Sequence, residues 1–202
     1  MGTELTVTLS VHLVTSAIFL PQIILQDVSS LSSSAPGLSF ASRLLLLQTY
    51  LSVSAALYIT RGRHALPIAE FYEATDSAQL SLSAGASSGW TRVIQSAVRF
   101  PEEHAPKIAR ALVDFDARWG TRAPGYFAAC ATVDEEEVRM AAATELEGIE
   151  ILDGTLFARV AGLTFDRLGW VDEGEKAGQW DWDGYPMLDL YATIKGGAPS
   201  GY

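Results

Sequence analysis

The sequence is short of the residues most often used for chemistry. Its 202 residues include one cysteine, Cys130, and three histidines, His12, His64 and His104. A single cysteine cannot close an intrachain disulfide, and it excludes a cysteine-based zinc site. Within "YFAACATV" it reads as a small buried thiol. No G-x-x-x-x-G-K-[ST] and no G-x-G-x-x-G is present, so neither a phosphate loop nor a dinucleotide fold is signalled. No H-E-x-x-H occurs, and no two histidines stand four apart. Basic residues are scarce too: 14 Lys and Arg face 24 Asp and Glu, a net charge of −10. A surface of that sign repels phosphate backbones, which argues against a nucleic-acid partner. Charge is missing altogether from Leu5 to Gln26, a length that could span a bilayer. Thr6, Thr8, Ser10, His12, Thr15, Ser16, Pro21 and Gln22 make that run too polar for a span, and its start lacks the basic residues of a secretory signal. It reads as a buried segment of a soluble, cytoplasmic protein with no membrane partner, with a membrane anchor over residues 5–26 as the weaker alternative.

What is present is a globular composition, 49% hydrophobic and 19% charged, in a chain long enough for one domain with a real core. Leu5, Val7, Leu9, Val11 and Leu13 alternate with polar residues, as in a strand. Leu5, Leu9, Leu13 and Ala17 equally share one face of a helix. Residues 27–39, "DVSSLSSSAPGLS", form a loop. Phe40, Leu44, Leu47, Leu51, Ala55 and Tyr58 recur at spacings of three and four, predicting a buried amphipathic helix that stops by Gly62. A helical turn is expected at "PIAEFYEA". Ser88 or Gly89 opens a further helix, with Trp90, Ile94, Ala97 and Val98 on its inner side. Ile108, Leu112 and Phe115 define another, closed by Gly120. Thr132 with Glu135 is a capping box for a helix reaching about Leu146. In "DGTLFARVAGLTFDRLGW", Asp153 is the expected N-cap, Leu156, Val160 and Leu163 the stripe and Gly169 the stop. The expectation is an all-α fold, one helical domain over residues 1–202.

Several stretches, taken in order, resemble the questin oxidase-like family. They are "SVHLVTSAIFLP", "LLLLQTYLSVSAALYITRGR", "FPEEHAPKIARAL", "DGTLFARVAGLTFDRLGW" and "GEKAGQWDWDGY", of which the last two look the most specific. The resemblance implies an oxidoreductase of polyketide and mycotoxin pathways, of fungal and bacterial kinds. Family members are about twice this long, so the chain looks like a C-terminal half. That suggests a partner chain, or a homodimer, covering an exposed apolar face. The resemblance also implies oxygen-dependent oxidation of an aromatic polyketide such as an anthraquinone. Two cofactor schemes go with it: non-heme iron held by histidines and a carboxylated lysine, or NADPH-dependent Baeyer–Villiger-type oxidation. Carried onto matching positions, the metal ligands would be His12, His104 and Lys107. The alternative is a non-catalytic helical module that binds a partner half or a hydrophobic ligand.

The residues themselves leave both readings open. Pro106 is tolerated only in the first turn of a helix, which places Lys107 in that turn. The helix dipole opposes an ammonium there by a few tenths to about 1 kcal/mol and favours a carbamate. Lys107 could instead pair with Glu103, four residues earlier, leaving His104 an ordinary surface residue. His12, in its uncharged run, is expected to be buried and must then be hydrogen-bonded or metal-bound. Trp180 and Trp182 could stack on a flat substrate or simply clamp the tail onto the helices. Arg61 could orient a phenolate, or with Arg63 cap helix carbonyls. Asp114, Asp116, Asp166 and Asp172 read as solvated charges.

Overall fold

A computed structural model describes residues 11–25, 38–60, 66–75, 87–128, 147–171 and 176–178. Every described regular element is helical and no strand occurs among them, so the all-α expectation holds. The described residues up to Thr60 belong to one compact unit and those from Leu66 onward to a second.

In the first unit, α1 covers residues 11–17, α2 Leu20–Ile24 and α3 Phe40–Thr60. The alternating pattern around Val11 and Leu13 therefore resolves as helix for its described part. Two hydroxyls of this polar run turn back onto their own helix: Thr15 Oγ1 donates to His12 O at 3.3 Å and Ser16 Oγ to Leu13 O at 3.0 Å. Pro21 sits in the first turn of α2, where its missing N–H costs nothing. Two polar ties bind α3 to the segment before it. Tyr50 OH donates to Leu13 O at 3.0 Å, and Arg43 Nη1 to Ile24 O at 3.1 Å. Burial pushes the Tyr50 phenol up, and a hydrogen bond with Ser54 partly offsets it.

The extent of α3 matches the sequence pattern, but its burial does not. No residue of α3 is fully buried. Arg43, Leu46, Leu47, Tyr50, Ser54 and Leu57 are half-buried, while Leu44, Leu51 and Tyr58 of the expected stripe are exposed. The reason lies in the run Leu44–Leu47 and the apolar residues beyond it. These wrap the whole circumference, so several stripes compete and packing along one side leaves the rest outside.

The second unit contains α4 (Ile68–Ala74), α5 (Ser87–Arg99), α6 (His104–Trp119), a 3₁₀ turn (Ile149–Ile151) and α7 (Leu156–Leu168). Helices α5, α6 and α7 pack on one another around Val93, Ala97, Ala109, Leu112, Ala161 and Phe165. A second cluster joins Phe100, Ala105, Leu168 and Val171. The face of α5 is rotated from the expected one: Ile94 and Val98 are exposed, and Val93, Ser96 and Ala97 are buried. Trp90 starts both candidate stripes, and the spacing 90–93–97–100 wins because it lands on Phe100. The core of α7 shifts in the same way, onto Ala158, Ala161, Gly162, Phe165 and Leu168, with Leu156, Val160 and Leu163 only half-buried. The buried faces of α6 and α7 are built largely of small residues, which permit close helix packing.

Asp153 lies just outside the helix it was expected to cap. Thr155 holds the cap position of α7, and Asp153 Oδ1 accepts from Thr155 N at 2.9 Å and Thr155 Oγ1 at 2.5 Å. Gly169 ends α7 with φ of +83°, a left-handed backbone that L-residues resist. The helix expected from Thr132 to Leu146, Cys130 and Asp172 lie outside the described residues.

Candidate functional site

The turn from α5 into α6 is built by "FPEEH". Phe100 is anchored in the apolar cluster, Pro101 breaks the chain, and α6 begins at His104. Pro106 falls in the first turn, as its geometry demands. The first N–H groups of a helix have no partner within it. Here Glu102 supplies one: its Oε2 accepts the His104 backbone N–H at 2.8 Å. The other carboxylate oxygen, Oε1, meets Nδ1 of the same residue's imidazole in a short contact. One carboxylate thus grips both the main chain and the side chain of His104.

The histidine itself is 4% exposed, not the surface residue that the simpler reading suggested. The neighbouring Ala105 is fully buried against Leu168 and Val171. Lys107 behaves differently. Its Nζ lies 3.0 Å from Glu103 Oε1, an exposed pair one turn apart. The two residues of the "HAPK" pattern are therefore one inside and one at the rim. A pair that exposed contributes at most a few tenths of a kcal/mol.

His12 belongs to the first unit, on α1, and is exposed rather than buried. Val11 and Ile18 take the inward face of that segment, seven residues apart, and His12 follows Val11 by about a 100° rotation. Among the described residues no three His, Cys, Asp or Glu side chains gather as a metal's donor set would require. The iron implied by the resemblance thus has one carboxylate-backed imidazole to match it here, and these residues alone do not fit a complete site. Trp180, Trp182, Arg61, Arg63 and His64 lie outside the described residues.

Of the aspartates expected to be solvated, Asp114, Asp116 and Asp166 are described and each has a partner, Asp166 while remaining exposed. Asp116 Oδ2 accepts the Trp90 indole N–H at 2.9 Å, and burial holds its carboxyl above the usual range against that bond's opposing pull. Asp166 accepts from Trp170 at 2.5 Å, and Asp114 takes both Nε and Nη2 of Arg118. A further network was not anticipated. Tyr72 OH accepts the Asp153 N–H at 2.9 Å and lies 3.0 Å from Asp153 Oδ1. Arg159 joins it by donating to Tyr72 O and to Thr75 Oγ1. Its signal in the sequence was the "DGT" triplet, read only as a cap. The spacing G-x-S-x-G also occurs, at "GASSG" (85–89). Its chemistry depends on a strand-to-helix turn; Ser87 opens α5, and residues 76–86 before it lie outside the described residues.

Comparison with known proteins decides the family. A family model described as questin oxidase-like matches residues 9–112, about half of the chain. The chain belongs to the questin oxidase-like family. The match takes in α1 to α3 and reaches through the His104 turn into α6. It stops before "DGTLFARVAGLTFDRLGW" and "GEKAGQWDWDGY", the stretches that looked most specific. No curated protein and no solved structure matches the chain. Membership of this family points to an oxidoreductase and, at a coarse level, to secondary metabolism.

Proposed function

We propose that this protein is an oxygen-dependent oxidoreductase acting on an aromatic polyketide of the anthraquinone kind, with His104 at its chemical centre. The observation that carries the proposal is the buried His104 held by Glu102 inside the segment that the family model matches. A phenolic ring becomes easier to oxidise when its hydroxyl proton is removed. A carboxylate-backed imidazole, shielded from water, is a suitable acceptor for that proton. Iron or NADPH, implied by the family, would supply the redox chemistry when bound. Were iron bound at His104, its Nε2 lone pair would go to the metal in place of the proton. Lys107 would first have to leave Glu103, and exposed His12 belongs to no group of three donors among the described residues.

The test is oxygen consumption by the purified full chain with a panel of hydroxyanthraquinones, with and without ferrous iron and NADPH. Activity that falls at least tenfold in His104→Asn, with the fold intact, is the expected outcome. Full activity in that variant would remove His104 from the chemistry.

A second reading has one observation in its favour, the exposed apolar surface of α3. In that reading the chain works as one part of an assembly, and another protein chain covers α3. Light scattering at rising concentration tests it, and a monomer at every concentration would count against a homodimer.

A further inference from the structure

We propose that Glu102 is a positioning residue that fixes the tautomer of His104, with the proton on Nδ1 and the lone pair on Nε2. The inference rests on the reading of His104 given above, but its central claim concerns the protein alone and needs no substrate.

The argument starts from what a carboxylate can do. An ionised carboxylate only accepts hydrogen bonds. Glu102 Oε2 already receives the His104 backbone N–H at 2.8 Å. Its Oε1 faces Nδ1 of the same residue, so Nδ1 must be the donor in that contact. In a neutral imidazole only one ring nitrogen carries hydrogen. The lone pair is then on Nε2, and the ring accepts there and nowhere else. The side chain is 5% exposed, so water competes poorly for Nδ1. The backbone bond keeps the carboxylate from swinging away, because the first-turn N–H needs an acceptor. The helix start thus orients Glu102, and Glu102 orients the ring. Partner groups of this kind set which imidazole nitrogen is reactive in both acid–base and metal-binding histidines.

A plain helix cap would need only the backbone bond. The two roles separate in Glu102→Gln. Glutamine has the same shape but only one accepting oxygen, and its other terminus donates. If that oxygen stays on the backbone N–H, the amide NH₂ faces Nδ1, which must then accept. The proton moves to Nε2 and the tautomer reverses.

The experiment is a nitrogen-15 imidazole spectrum of the full chain at neutral pH. His104 is assigned among the three histidines by its loss in His104→Asn. Wild type is expected to show a pyrrole-type Nδ1 and a pyridine-type Nε2. Glu102→Gln is expected to exchange the two, with helix content unchanged by circular dichroism. Wild-type protein with the proton on Nε2, or with both nitrogens protonated, overturns the proposal. An unchanged tautomer in a folded Glu102→Gln also overturns it. Should that variant fail to fold, the wild-type spectrum still decides. In the oxidation assay, Glu102→Gln is expected to lower kcat at least tenfold with little change in KM. Full activity in His104→Asn with the expected tautomer intact would defeat the functional reading and leave the tautomer assignment standing, so the two failures are told apart.

Discussion

Asp116 shows how a single half-buried carboxylate can be read as a pH-dependent element. Burial raises its pKa above the ordinary aspartate value of about 3.9, and the Trp90 bond only partly offsets this. A raised carboxyl pKa means that the folded state holds its proton more tightly than the unfolded state. The contribution is therefore fully favourable below the unfolded pKa and is lost as pH rises through the folded one. Asp116→Asn keeps an oxygen for the indole and removes the charge. Its melting temperature relative to wild type is expected to be higher at pH 7 than at pH 4, by thermal denaturation followed with circular dichroism. An equal difference at both values would show that the carboxyl is not perturbed. At the same scale, Tyr72→Phe removes the hydroxyl that accepts the Asp153 N–H. A half-buried donor left without that acceptor costs about 1–3 kcal/mol, measurable by urea unfolding with an unchanged m-value.

The helices carry the core, and their small residues carry the packing. Phe165 is fully buried where α5, α6 and α7 meet. Phe165→Ala is expected to cost about 3–5 kcal/mol in urea unfolding, since the cavity lies among neighbours that cannot close over it. Periodicity made the described helices legible: α3 and α6 run close to the expected limits, and Gly120 and Gly169 end their helices as expected. Faces were harder to read. Leu156, Val160 and Leu163 spaced well, yet the inward side of α7 is built of Ala158, Ala161 and Gly162, because size decides how near a neighbour comes. The turn into α6 was half legible. Pro106 located the helix start, but nothing in the spacing said that Glu102, rather than Glu103, would hold His104. That choice depends on the path of three backbone residues. His12 misled for a related reason: an uncharged run says that a segment is apolar on average, not which of its residues faces inward.

Across the whole molecule, the apolar surface of α3 stands out. Phe40 is 81% exposed, Leu45 64% and Leu51 57%. The helix is long and apolar enough to cross a membrane by length and composition, and Arg43 is its one charged residue. Its hydroxyls lean on its own carbonyls, Thr49 on Leu45 O at 2.8 Å and Ser54 on Tyr50 O at 2.8 Å. The double variant Leu45→Glu with Leu51→Glu is expected to reduce concentration-dependent light scattering while leaving the urea midpoint of dilute protein unchanged. Loss of the midpoint instead would show that these leucines support the fold. Coverage of α3 by a second copy of the chain, as in the second reading above, makes stability depend on the amount of protein. Anything that covers α3 in the folded state alone draws the folding equilibrium toward that state, by about 2.7 kcal/mol at a hundredfold excess over Kd. The melting temperature is then a property of the solution, rising with concentration, and two dilutions of one sample are enough to see it.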